Sequence, residues 1–283
     1  MNPILWVIIV TFIAGVGGTG FGGVIAAVIR RDSSKIVSLL LSFAGGVMIS
    51  IVCLDLIQEA MESVGSGASA LATVIGGTLV GYIVIYFLNY IIDKHTNPEI
   101  EHIDEEHPAT ADGLDELIHS DHYQYHKTTN SAYQLFVAGL VMAFAIALHN
   151  LPEGMVIGAS YAAGHGTSDI SGSVALAVVI GLHNIPEGMA VSVPLIAGGM
   201  KKLRAVSVTA LSGAPTIIGA LLGYYLGTLS PVALALALSF ASGAMLYVVL
   251  GELFPEAILM WRSKMPAFAA LIGIIVGMVI IYA

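Results

Sequence analysis

HNLPEG begins at His149 and returns as HNIPEG at His183. On a helix, His149 and Glu153 stand at i and i+4, and Asn150 and Glu153 at i and i+3, so imidazole, amide and carboxylate share one face. His183, Asn184 and Glu187 repeat the arrangement. Pro152 and Pro186 each remove a backbone donor, which frees the carbonyls of Leu148 and Leu182 and favours a kink. Two such helices packed antiparallel would bring two imidazoles and two carboxylates together. Imidazole suits zinc, iron and nickel, carboxylate oxygen suits harder ions, and the lack of a thiolate argues against copper(I). The alternative, a kinked helix with a satisfied polar patch, accounts for one copy better than for two.

The elements that must position these groups are read from hydropathy. The 283 residues are 57% hydrophobic and 10% charged, with mean hydropathy +0.90, where a soluble domain carries roughly 25% charge. A membrane-spanning helix needs about 20 apolar residues. Eight stretches meet that length: 4–29, 36–60, 70–92, 133–160, 173–198, 205–227, 232–258 and 267–283. The first has no positive residue before it and too long an apolar run for a cleaved leader, so it is expected to stay as a helix. The fold expected is an all-α polytopic membrane protein of eight transmembrane helices. Unpaired carboxylates inside a bilayer are costly, and a bound dication would cancel their charge. With the ligands free of metal, one or both glutamates are expected to hold a proton, which couples metal binding to proton release.

Lys and Arg mark cytoplasmic loops. All ten fall in alternate connections: Arg30, Arg31 and Lys35; Lys94 and Lys127; Lys201, Lys202 and Arg204; Arg262 and Lys264. This places both termini outside the cytoplasm. A second repeat fits that orientation: SFAGGVMISIVCLDLIQEA (42–60) aligns without gaps on SFASGAMLYVVLGELFPEA (239–257), with Asp55 opposite Glu252. The second and seventh helices are thus related and run in opposite directions, as do the fourth and fifth. The arrangement expected is 3+2+3, an inverted repeat of the kind that places transporter sites near the midplane. Asp55, Glu59, Glu252 and Glu256 are candidates for a transport pathway, although Glu59 and Glu256 lie near helix ends where water alone would satisfy them.

The double motif on the fourth and fifth of eight helices, the outside termini and the His-rich loop before the fourth resemble the ZIP (Zrt-, Irt-like) family of divalent-metal transporters, most closely its bacterial ZupT- and GufA-like branches. The resemblance spans essentially the whole chain, 1–283, as one transmembrane domain. It implies uptake of zinc foremost, and of iron, manganese or cadmium, into the cytoplasm through the cell (inner) membrane. It also implies elevator-type movement of helices 1, 4, 5 and 6 against 2, 3, 7 and 8, in a homodimer. The family's principal metal site maps onto His149, Glu153, His183 and Glu187. A second site would use Asn150, Asn184, both glutamates and a glutamate on the sixth helix, where this chain has Ala214-Pro215. Many members also carry His-Glu where Gly251-Glu252 stands here.

Residues 93–127 hold six of the nine histidines, His95, His102, His107, His119, His122 and His126, and ten of the nineteen acids. This is the signature of a disordered cytoplasmic loop, 93–130. It is either a solvated linker or a place of weak metal capture. GVGGTGFGG (15–23) has no lysine and lies within a span, so it reads as close helix packing rather than a phosphate loop. Cys53 stands alone, which excludes an intrachain disulfide. A net charge of −9 gives nothing for nucleic acid to bind, and the partners expected are metal ions and lipid, with no organic cofactor. An intramembrane metal hydrolase is the rival class, but no HExxH occurs and the two motifs leave no distinct general base. A metal exporter or sensor is the third reading.

Overall fold

A computed structural model of the chain describes residues 2–28, 34–96, 131–164 and 171–282. Among these residues there is no strand, and eight helices are long and apolar enough to cross a membrane, as the sequence predicts. They are α1 (Pro3–Val28), α2 (Lys35–Val64), α3 (Ala68–Ile91), α4 (Met142–Gly164), α5 (Gly172–Ala197), α6 (Lys202–Leu229), α7 (Pro231–Leu253) and α8 (Met265–Tyr282). The helix of α4 begins earlier, at Ser131, and Phe254–Met260 continues α7. The loop 97–130 lies outside the described residues.

The boundaries follow from local chemistry. Asn2 caps α1, its Oδ1 accepting from the Ile4 amide at 3.0 Å ahead of Pro3. Ser230 does the same for α7 ahead of Pro231, accepting from Ala233 at 3.1 Å. Proline at the first helical position loses nothing, because that amide has no intrahelical partner. The α5 helix ends at Ala197 and the chain turns away at Gly199, whose φ of +90° is open to glycine and strained for other residues. There the Met200 amide turns back to the Leu195 carbonyl at 3.0 Å.

Four of the described spans are not regular. A π-helical stretch interrupts α1 at Ile13–Gly17, α2 at Ile51–Leu56 and α7 at Val249–Leu253. The last two fall at matching places in the repeat and carry Asp55 and Glu252. The α6 helix breaks at Gly213 and Ala214, between Lys202–Ser212 and Pro215–Leu229, because Pro215 lacks an amide hydrogen and restrains the residue before it.

Glycines join the helices in four close pairs. A Cβ at Gly154 would strike the Thr216 carbonyl and one at Gly219 the Leu151 carbonyl, so α4 and α6 touch backbone to backbone. Gly22 and Gly188 do this for α1 and α5, Gly46 and Gly273 for α2 and α8, and Gly81 and Gly243 for α3 and α7. Such contacts are how helices pack where no hydrophobic force drives them together. Between the α1/α5/α4/α6 group and the α2/α8/α3/α7 group the core is made instead by side chains, among them Met48, Val52, Val156, Ile180 and Met245. The faces of α3 and α8 that turn outward are apolar, with Leu79, Phe87, Phe268 and Val279 more than half exposed, as a lipid-facing surface requires.

Candidate metal centre

The two motifs lie inside continuous helices on α4 and α5, with Pro152 and Pro186 accommodated within them. All six of their polar side chains are buried, and Asn150, Glu153, Asn184 and Glu187 have no exposed surface. Ligand atoms of Glu153, His183 and Glu187 lie within 4.8 Å of one another. Of these contacts one is a hydrogen bond: His183 Nε2 and Glu153 Oε1 share a hydrogen across 2.7 Å. Glu153 Oε2, both oxygens of Glu187 and Asn184 Oδ1 are buried with no hydrogen-bond partner. A buried polar atom left so costs on the order of 1–3 kcal/mol, more for a charged group. Several lone pairs converging without a donor is the pattern a cation completes.

His149 does not join this cluster. Its Nδ1 lies 2.8 Å from the Ala145 carbonyl. Since a carbonyl only accepts, Nδ1 carries a hydrogen. The other ring nitrogen, Nε2, is turned towards α7, 3.1 Å from Glu252 Oε2, without the alignment of a hydrogen bond.

The two asparagines serve different ends. Asn150 spends both its polar atoms on the fold. Its Nδ2 donates to the Ile146 carbonyl at 2.9 Å and to the Ser212 carbonyl, next to the break in α6, at 3.2 Å. Its Oδ1 accepts from Thr216 Oγ1 at 3.0 Å and from Asn184 Nδ2 at 3.2 Å. Asn184 also donates to the carbonyl of Ala14, within the π-helical stretch of α1, at 3.2 Å, and keeps its oxygen uncommitted. One amide network thus ties α1, α4, α5 and α6 together around the motifs. Thr216 is the residue that sequence reasoning missed. The signal available was a hydroxyl directly after the Ala214-Pro215 break.

The remaining candidates are scattered. Asp55 is half-buried beside a cavity of about 80 Å³ bounded by Ile51 on α2, Ala175, Leu176 and Val179 on α5, and Gly277 and Ile280 on α8. Glu59 is half-buried a turn further along α2. The side chain of Glu256 lies outside the described residues, as do those of His95, His102, His107, His119, His122 and His126.

Eight apolar helices long enough to cross a membrane define a polytopic membrane protein, and its interior holds a buried histidine and carboxylate cluster. The chain belongs to the ZIP Zinc transporter family, whose pattern it matches over residues 2–283. It is 32% identical to the Zinc transporter ZupT of Clostridium perfringens over 99% of this chain and 95% of that protein. It is 32% identical to the protein of the same name from Akkermansia muciniphila, over 99% and 96%. For the one from Streptococcus mutans the figure is 30%, over 96% and 93%. Proteins of this family are transporters, so the hydrolase reading falls away.

Proposed function

We propose that the protein carries divalent transition metal ions, zinc foremost and also iron, manganese or cadmium, across the cell (inner) membrane into the cytoplasm. The observation that supports this most is the set of buried, unpartnered oxygens on Glu153, Glu187 and Asn184 beside His183. Zinc holds nitrogen and oxygen ligands at about 2.0–2.2 Å, so ligand atoms of one site lie up to about 4 Å apart. The 4.8 Å spread is close to that, and metal binding draws the three ligand atoms together. On metal binding the hydrogen shared by His183 Nε2 and Glu153 Oε1 passes to water, which leaves both atoms free to ligate.

The proposed arrangement is 3+2+3 with both termini outside. The pairing of α1 with α5 is matched by that of α6 with α4, and α2 with α8 by α7 with α3, which is the pattern an inverted repeat produces. The amide network through Asn150 and Asn184 supports α1, α4, α5 and α6 moving as one bundle against the other four helices, with the metal near the midplane. The relatives named as zinc transporters favour zinc as cargo. The family resemblance carries the homodimer. Glu252 on α7, 3.1 Å from His149, receives the metal on the cytoplasmic side.

The test is flux in sealed vesicles containing the purified protein. Zinc should accumulate in the direction that corresponds to the cytoplasm, with iron, manganese and cadmium competing, and Glu187→Gln should abolish it. Zinc accumulation in wild-type vesicles no greater than in protein-free vesicles would overturn the reading, and accumulation in the opposite sense would make the protein an exporter.

A further inference from the structure

Tyr247 on α7 is buried against one face of α3. Tyr82, Tyr86 and Asn89 stand at i, i+4 and i+7 of that helix, so the three share a face. The rings of Tyr82 and Tyr86 meet the Tyr247 ring edge-on, with centroids 5.4 Å and 6.0 Å away at 84° and 81°. Asn89 Nδ2 donates to the Tyr247 hydroxyl at 3.0 Å. The same ring covers Gly251. A Cβ there would lean back towards the preceding turn, 3.2 Å from Cε2 of the ring and 3.5 Å from its Cδ2 and Cζ. A ring held by three residues of α3 has little room to give way, and the position is filled by glycine. Gly251 lies in the π-helical stretch that carries Glu252. The repeat reverses these sizes: Ser50 aligns with Tyr247 and Leu54 with Gly251. In that copy the small residue comes first, and the Ser50 hydroxyl donates to the Ile274 carbonyl of α8 at 2.8 Å.

Resting on the transport reading above, we propose that Tyr247, locked by Asn89, is a positioning residue for Glu252: it fixes the register of the π-helical stretch and keeps the carboxylate aimed at His149. A π-helical stretch is an extra residue fitted into a helix, and packing decides where it sits. Moving it past Glu252 would turn that side chain by about 100° around the helix axis, away from α4. With the ring of Tyr247 pinned to α3 and seated on Gly251, the turn before Glu252 is fixed. Glu252 then leaves α7 on the side of α4, 3.1 Å from His149. The requirements are specific: a ring at 247 that reaches α3, a donor at 89 that holds its hydroxyl, and no side chain at 251. Neither Tyr247 nor Asn89 belongs to the Glu153, His183 and Glu187 cluster, so the role lies in passing the metal on and not in binding it there.

The experiment uses full-length protein, with zinc uptake measured in vesicles and zinc affinity in detergent. Tyr247→Leu should lower the maximal uptake rate about tenfold, while the zinc Kd at the Glu153, His183 and Glu187 cluster stays within about twofold. Tyr247→Phe and Asn89→Leu remove only the bond to the hydroxyl and should each cost about fivefold in rate; they carry the test if Tyr247→Leu does not fold. Gly251→Ala should cost about tenfold alone and less than about twofold when added to Tyr247→Leu, because the ring it strikes is gone. In a Glu252→Gln background, Tyr247→Leu should change the residual rate by less than about twofold, since no carboxylate is left to aim. The proposal is overturned by a rate unchanged in Tyr247→Phe and Asn89→Leu, by a Kd that weakens in step with the rate, or by a full loss from Tyr247→Leu in the Glu252→Gln background. Failure of the transport reading would show separately, as wild-type vesicles that take up no more zinc than protein-free ones.

Discussion

Ala214→Glu tests how many metals the centre holds. In this chain position 214 is a small apolar residue at the N-cap of the second half of α6. Asn150, the other candidate for a second site, has its oxygen taken by Thr216 and Asn184. A second dication would therefore share the Glu153 and Glu187 carboxylates with the first. At about 4 Å and an effective dielectric of 20, two dications repel by about 17 kcal/mol. At the same separation each shared carboxylate attracts the second ion by about 8 kcal/mol. The two contributions cancel, which leaves the cost of stripping water from the second ion unopposed. A third carboxylate adds about 8 kcal/mol more and reverses the balance. The wild-type protein should bind one zinc tightly, and Ala214→Glu should bind two. Calorimetry with elemental analysis gives the count, with residues 93–127 deleted so that their six histidines do not contribute. Two tight equivalents with Ala214 in place would refute the charge argument.

Three further outcomes follow from the same geometry. His183→Ala should abolish uptake while leaving protein in the membrane, checked by flux and by membrane abundance, because it removes a nitrogen ligand and strands Glu153. Thr216→Val should lower the melting temperature by the equivalent of about 1–2 kcal/mol, since it deletes one donor to a buried acceptor, and Thr216→Ser should restore it. In a Cys53→Ser background, a cysteine at Ser168 should react with an impermeant reagent added outside and one at Ser120 should not; the reverse labelling would invert the proposed topology.

The eight spans were legible because each rests on a local signal, about 20 apolar residues, and i and i+4 spacing was enough to put the polar groups of each motif on one helix face. The burial of Glu153 and Glu187 followed from the same reading, since both sit mid-span. What was not legible depends on which neighbour comes close. Nothing in HNLPEG and HNIPEG distinguishes Asn150 from Asn184, yet one is bound at both ends and the other keeps an oxygen uncommitted. His149 offers the same chemistry as His183, but its ring is turned to Glu252, 103 residues further along the chain. The π-helical stretches left no mark in composition either, because their backbone is altered by packing and not by proline or glycine alone.

The inequality of the two motifs has a physical source in the helices that flank them. Asn184 faces α1, where the π-helical stretch offers the Ala14 carbonyl and no side-chain donor competes for the asparagine oxygen. Asn150 faces α6, where the break at Gly213 and Ala214 offers the Ser212 carbonyl and also the hydroxyl of Thr216. Each amide nitrogen therefore finds a backbone oxygen at an irregular point of its neighbour, and only one amide oxygen finds a donor from that neighbour. A perfectly symmetric pair would leave both oxygens facing the carboxylates and stay indifferent between two arrangements. The single extra hydroxyl at Thr216 fixes Asn150 as a strut and leaves Asn184 as the amide that can face a metal, so the motif copies divide the labour that their sequences alone would share equally.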